Sequence, residues 1–472
     1  MESRTTGTAV DRVRALFRQR PSQEYERIDE DPNDEDVRRP VLMIPDKFGE
    51  EPFSWFEYCI FVLLGVAMLW AWNMFLAAAP YFQTRFQDND NILAHFQSAI
   101  TSVGCVTNLG SMLLLSNLQA KANYPKRILA SLIVNIIVFV LLAISTSWFR
   151  GVTSVGYLTF TLIMVFTTSV ATGLCQNGAF AFASSFGREE YIQAIMTGQA
   201  IAGVLPSVAQ IASVLAVPEP DHWASGDAEL AMEKSENTTS AFIYFLTATG
   251  ISSLTLLAVI PLIRKHERIL ESQMMASLTS VEEAEQSHRK VVSMWQLYKK
   301  LYFSAAGVFV CFAVTMFFPV FTQKVVSVVP PDQAPRLLQP SAFIPLGFLV
   351  WNLGDLIGRL TALLPFYVRP RPFVALIFAF CRVGFIPLYL LCNIEDHGAI
   401  ISSDVFYLGV VQFLFGASNG WLSSSCMMGA NDYVEDTERE ATGGFMATNL
   451  VAGLTTGSLL SFAAAGVRGV KS

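Results

Sequence analysis

Apolar runs of about twenty residues recur along this chain from Glu57 to Val467, and that recurrence limits the architecture more than any other feature. A bilayer core of about 30 Å takes about 20 apolar residues as a helix. Eleven such runs are read here: 57–80, 97–118, 127–148, 153–180, 192–216, 241–263, 302–323, 341–367, 373–392, 405–430 and 443–467. Lipid offers no partner to an open strand edge, so each run is expected to be a helix. The expected fold class is therefore an all-α integral membrane protein. Composition agrees, because 52% hydrophobic against 15% charged residues is outside the range of soluble domains.

The charged segments set the organisation. Residues 1–54 carry 9 Lys and Arg against 13 Asp and Glu, with no apolar core of a signal peptide. They are expected to form an acidic, disordered cytoplasmic region. The stretch 264–300 is the one long charged insertion between spans, and it divides them six to five. The expected domains are a six-helix bundle over 55–263, a cytoplasmic linker over 264–300 and a five-helix bundle over 301–472, with a central site between the bundles. With the amino terminus inside, 23 Lys and Arg fall in cytoplasmic segments and 7 outside, so the amino terminus is expected to be cytoplasmic and the carboxyl terminus opposite. This orientation puts the glycosylation triplet Asn237-Thr238-Thr239 on the non-cytoplasmic side.

Ionisable residues inside a bilayer are functional-site candidates, since each costs about 2.5–3.5 kcal/mol at the centre. The strongest case is WNLGDLIGRL, 351–360, where Asn352, Asp355 and Arg359 share a helical face. Gly354 and Gly358 form a small-xxx-small pair on the other side, suited to close helix approach. Asp355 and Arg359 neutralise each other at i,i+4, which fits a substrate-contacting pair or a structural lock between helices. In the first span, Leu69, Trp72, Asn73 and Leu76 share a face on which an indole and an amide suit a flat ring with a polar rim. The alternative is interface anchoring by Trp72 and helix bridging by Asn73. Neutral polar stripes recur at Thr168, Thr172 and Gln176, at Gln199, Gly203, Pro206 and Gln210, and at Gln412, Asn419 and Ser423. Together they imply a wet cavity for an uncharged polar solute. Arg382 has no partner in its own span, and Asp355 or a carbonyl is expected to supply one. No Walker loop, HExxH, GxSxG or zinc spacing is present, and the seven cysteines lie in or beside apolar runs, so no enzyme, cofactor or metal is expected.

These residues resemble the equilibrative nucleoside transporters, with the fungal members nearest in character. The resemblance rests on the span count, the loop after the sixth span, Trp72-Asn73 with Tyr81-Phe82, Gly198-Gln199, and Trp351-Asn352 with Asp355, Gly358 and Arg359. It implies a major-facilitator-like fold and facilitated, alternating-access transport of a nucleoside such as adenosine or uridine, with nucleobases as further substrates. It also implies that Leu69, Trp72, Leu76 and Gln176 contact the nucleoside, that Asp355 and Arg359 bind the ribose side, and that Asn352 supports that face. The family commonly has proline where this chain has Ala71, so the kink of the first helix is open. The partners expected are the substrate and the lipid bilayer, without nucleic acid, for a monomer in a vacuolar or other internal membrane. Tyr25-Glu26-Arg27-Ile28 fits a sorting tetrapeptide. The alternatives are a carrier of another small polar solute, with or without proton coupling, and a non-transporting membrane receptor.

Overall fold

The computed structural model describes residues 53–119, 122–149, 151–216, 226–277, 292–330, 333–364 and 371–469. The acidic terminal region, the sorting tetrapeptide and the middle of the linker lie outside these residues. Trp55–Ser472 forms one compact unit. Among the described residues it is helical, apart from turns and one isolated bridge between Val325 and Ile394.

The first sequence span is two helices, α1 (Trp55–Ala77) and α2 (Ala79–Phe86). The break falls at Ala78, because Pro80 in the first turn of α2 has no N–H to return to the preceding turn. The first span therefore breaks seven residues after Ala71. There follow α3 (Asp90–Asn117), α4 (Tyr124–Trp148), α5 (Ser154–Ser185), α6 (Glu189–Ala216) and α7 (Gly226–Ser277). Asn89, Asn123 and Thr153 cap the starts of α3, α4 and α5 with side-chain oxygens, which satisfies amides that no turn reaches. Helix α7 carries the sixth span on into the first part of the charged linker. The Asn237 triplet lies inside it, with the Asn237 amide donating to Thr84 Oγ1 at 3.2 Å.

The second group comprises α8 (Met294–Thr315), α9 (Phe317–Thr322), α10 (Pro340–Thr361), α11 (Pro372–Cys381) and α12 (Phe385–Tyr389). It closes with a π-helix (Phe406–Phe413), α13 (Leu414–Gly429) and α14 (Arg439–Gly469). Nine helices or helix pairs among the described residues are long and apolar enough to cross a membrane. The tenth and eleventh sequence spans are also helical but are not among those nine, so the structure supports a many-helix membrane fold without fixing the number at eleven.

Glycines decide which helices touch. A side-chain carbon at Gly354 or Gly358 of α10 would strike the backbone of Phe413, Ala417 and Trp421, and one at Gly416 or Gly420 of α13 would strike the backbone of Trp351, Asp355 and Arg359. The small-xxx-small pair on α10 thus meets a second such pair, as close backbone approach requires. Gly65 of α1 and Gly198 of α6 pack in the same manner. Two seams join the earlier and later helices: α6 packs on α10 and α13, and α3 and α5 pack on α14.

Burial along these seams is uneven. Residues 175–184 of α5, 191–200 of α6, 422–430 at the end of α13 and 441–448 of α14 are buried without interruption. Short connections join the end of α5 to the start of α6 and the end of α13 to the start of α14, so all four runs lie at one end of the molecule. There Gly443 meets the Phe180 carbonyl, Gly444 meets Asn177, and Ser116 Oγ lies 2.7 Å from Thr448 Oγ1. Toward the other ends of α6 and α14, exposed residues such as Leu205, Val208, Leu459 and Leu460 alternate with buried ones such as Ser207, Ile211, Ser458 and Ser461. Burial on every side of these four helices is thus confined to one end of the unit.

Candidate functional site

The ion pair foreseen in α10 forms. Arg359 Nε donates to Asp355 Oδ2 at 2.8 Å, and the two residues are 5% and 3% exposed. A charge removed from water this fully needs several partners. Asn419 Nδ2 of α13 donates to Asp355 Oδ1 at 2.8 Å, while Arg359 Nη1 donates to the Met196 carbonyl of α6 at 2.6 Å and to Gln199 Oε1 at 3.4 Å. Arg359 Nη2 makes no hydrogen bond among the described residues. The pair therefore has one donor nitrogen uncommitted at the seam between α6 and α10.

Arg382 completes a longer chain. Its Nη1 donates to the Cys311 carbonyl at 2.7 Å, Nη2 to Thr315 Oγ1 at 3.0 Å and Nε to Ser418 Oγ at 3.1 Å, with the guanidinium carbon 5.0 Å from the Phe415 ring centre. A carbonyl is thus its direct partner, as expected. Its link to Asp355 runs through Thr315 Oγ1, which donates to Asn419 Oδ1 at 2.8 Å. Two arginines and one carboxylate are joined across α8, α10, α13 and the 3-10 turn that follows α11.

The other polar candidates gather around α6. Asn73 Nδ2 donates to the Ala202 carbonyl at 2.7 Å, and the Asn352 amide lies over Gly203, where a side-chain carbon would collide with it. Asn352 Nδ2 donates to its own helix at the Phe348 carbonyl, 2.8 Å away. Gln199 Nε2 lies 3.8 Å from Met68 Sδ of α1. Asn73, Gln199, Asn352, Asp355 and Arg359 thus form a single wall on α1, α6 and α10. Gln193, unmarked by any sequence motif, reinforces it by accepting from Tyr58 at 2.7 Å and donating to the Arg359 carbonyl at 3.1 Å.

A second wall stands on α3 and α5. The Trp72 indole lies against Gly104, beside Ser169 Oγ, where a side-chain carbon would not fit. Gln176, buried on α5, accepts from Asn108 Nδ2 of α3 at 3.3 Å. Ser169 and Gln176 are two turns apart, about 10 Å along the helix. Leu69 is half-buried and Leu76 is 53% exposed, so α1 leaves its aliphatic face largely open. Among the described residues no hydrogen bond joins Gln176 directly to Asp355 or Arg359.

Gln412 and Asn419, seven residues apart on the tenth span, meet Thr322 and Thr315, also seven residues apart, on the seventh. The π-helix brings Tyr407 and Gln412, five residues apart, together: Gln412 Nε2 donates to Tyr407 Oη at 2.6 Å and to Thr322 Oγ1 at 2.8 Å, and accepts from Tyr389 at 3.2 Å. Asn419 also serves Asp355, and Ser423 bonds back to the Asn419 carbonyl at 2.7 Å.

This many-helix fold, with a buried acid–arginine pair on the seam, matches the family described as Nucleoside transporter over residues 162–465. The chain belongs to the nucleoside transporter family. This is a family of transporters and not of enzymes. The transporter is 29% identical to nucleoside transporter FUN26 of Saccharomyces cerevisiae, with 86% of this chain and 83% of that protein covered. It is 27% identical to equilibrative nucleoside transporter 1 of Rattus norvegicus, over 86% of this chain and 96% of that one. Among solved structures, it is similar to the major facilitator superfamily transporter FucP in its outward conformation, with a TM-score of 0.52 at 13% identity, over 87% of this chain and 95% of that one. That likeness shows the transporter to have the major facilitator fold.

Proposed function

We propose that this transporter passes nucleosides such as adenosine and uridine down their gradients, through a site between the α1–α6–α10 wall and the α3–α5 wall. The base stacks near Trp72 with Leu69 and Leu76 at its sides, and Gln176 hydrogen-bonds its edge. Asp355 and Arg359 hold the ribose hydroxyls, and Asn73, Gln199 and Asn352 hold the wall around them. The observation that carries this reading is the buried Asp355–Arg359 pair, whose Arg359 Nη2 makes no hydrogen bond among the described residues. A neutral ligand with adjacent hydroxyls can accept from that nitrogen and donate to the carboxylate without adding charge to the membrane interior.

The arrangement supports alternating access by two bundles, spans one to six and seven to eleven, hinged on the linker. With the amino terminus cytoplasmic, as the Lys and Arg bias favours, the fully buried end of the seams faces the cytoplasm and the site opens to the other side. Both walls come from a single chain, so a monomer in a bilayer suffices, and an internal membrane such as the vacuole is the proposed residence. The nucleoside transporter names of its relatives support the substrate class.

The test is uptake of radiolabelled adenosine and uridine by proteoliposomes holding the purified protein, with and without an imposed pH gradient. Saturable uptake that equilibrates and ignores the gradient is the expected result. Accumulation that follows the gradient would replace facilitation with proton coupling, and no flux above empty liposomes from folded protein would overturn the substrate class.

A further inference from the structure

Gln176 has two hydrogen-bonding ends, and an unconstrained amide can present either one. The oxygen end is taken, since Asn108 Nδ2 donates to Gln176 Oε1 at 3.3 Å. Among the described residues the Nε2 end makes no hydrogen bond. The direction of this bond follows from the far side of Asn108, where Oδ1 is buried without a hydrogen-bonding partner, against Gly173 and near Ser111 Cβ. A buried amide NH2 facing those carbons would strand two donors, whereas a carbonyl oxygen there strands at most one acceptor beside a weakly polar Cα–H. The orientation that places Oδ1 against Gly173 is the less costly one, and it directs Nδ2 to Gln176.

Asn108 is also one turn from Gly104 on α3, the residue beneath the Trp72 indole. The same face of α3 therefore backs both proposed base contacts. Asn108 is not among the candidates read from the sequence, although Thr101, Gly104, Asn108 and Ser111 recur on one face of the second span.

We infer that Asn108 is a specificity-determining positioning residue: by holding Gln176 Oε1 it makes Gln176 present only an N–H donor to the base, so the site selects bases with a hydrogen-bond acceptor at that point. This inference rests on the nucleoside reading above and adds the polarity of its base contact. Adenosine carries three unprotonated ring nitrogens, and 1-, 3- and 7-deazaadenosine each replace one of them by C–H. One of the three must lose the bond.

The experiment measures displacement of labelled adenosine by adenosine, the three deaza analogues and 2′-deoxyadenosine, using the full chain in proteoliposomes. In the native protein one deaza analogue is expected to bind about 3- to 10-fold more weakly than adenosine, the worth of one neutral hydrogen bond. In Asn108→Leu the amide is free to turn, and that ratio should shrink to less than about twofold while the 2′-deoxy ratio holds. A purely structural role would change all ratios together or none. Gln176→Glu, assayed at a pH high enough to hold the carboxylate, which can only accept, should reverse the preference, and it decides the matter if Asn108→Leu does not fold. The inference is overturned if all three deaza analogues match adenosine in the native protein, if the ratio survives in folded Asn108→Leu, or if Gln176→Glu keeps the native order. Saturable adenosine uptake by the native protein tests the nucleoside reading separately, so failure of the one is distinguishable from failure of the other.

Discussion

Asp355 and Arg359 were chosen because charge inside an apolar run demands a reason, and the demand could be met from sequence spacing alone. Removing either partner leaves the other buried and uncompensated, which costs about 3–5 kcal/mol. Asp355→Asn and Arg359→Gln are therefore each expected to lower both folded yield and uptake, measured by fluorescence-detected size-exclusion chromatography and adenosine flux. The double variant should recover yield and remain inactive. Full uptake in the double variant would reduce the pair to a structural lock. Arg382 was legible as an anomaly but its surroundings were not, since Cys311, Thr315 and Ser418 lie on other helices. A lysine there has one nitrogen to serve acceptors that the planar guanidinium reaches with three. Arg382→Lys is expected to lower the melting temperature in detergent, by an amount comparable to that of Asp355→Asn, because both loosen one network. An unchanged melting temperature would separate Arg382 from it. Asn108 and Gln193 are neutral amides like those the sequence did mark, and what sets them apart, their bonds to Gln176 and to the Arg359 carbonyl, lies on facing helices.

At the scale of the element, the spans were legible because bilayer thickness sets helix length directly, and the glycine pair on α10 told that something approached closely. What approached was not legible. The partner pair on α13 lies more than fifty residues away and reads as an ordinary Gly-x-x-x-Gly among several. Two local departures from regular helix shaped the site as well. The break at Ala78 follows from Pro80, which a sequence reader can see, whereas the π-helix of Phe406–Phe413, which brings Gln412 to Tyr407, has no such marker. Packing at the α10–α13 contact makes a sharp expectation. Gly416→Leu places a branched side chain against the backbone of Trp351 and Asp355, where no rotamer avoids it. Overpacking of this kind costs about 1–3 kcal/mol and displaces the helix that bears the acid. Both the melting temperature and the affinity for adenosine should fall. If stability falls while affinity holds, the α13 contact does not position Asp355.

Over the whole molecule, burial along the seams is uneven, and under the alternating-access proposal its fully buried end is the part that must open. Four helices buried on every side over about two turns each cannot remain so if the substrate is to leave by that end, so the contacts there must part in each cycle. None of this was visible in the chain itself, because a run of small residues such as Thr442-Gly443-Gly444 has the same composition whether it seals a gap or lines one. Ser116 of α3 and Thr448 of α14 lie across the seam, with their hydroxyl oxygens 2.7 Å apart. Cysteines at both positions bring two sulfurs within reach of a disulfide, subject to the short Cβ separation such a bond requires. Oxidation of Ser116→Cys/Thr448→Cys in proteoliposomes is expected to stop adenosine exchange almost completely, and a reductant should restore it. Each single variant should be insensitive to the oxidant, which excludes an effect of the native cysteines. Adenosine binding to the cross-linked protein should persist, since the site stays open on the other side. Continued exchange through a fully cross-linked protein would show that this seam does not open during transport, and the route between the two walls would have to be sought elsewhere.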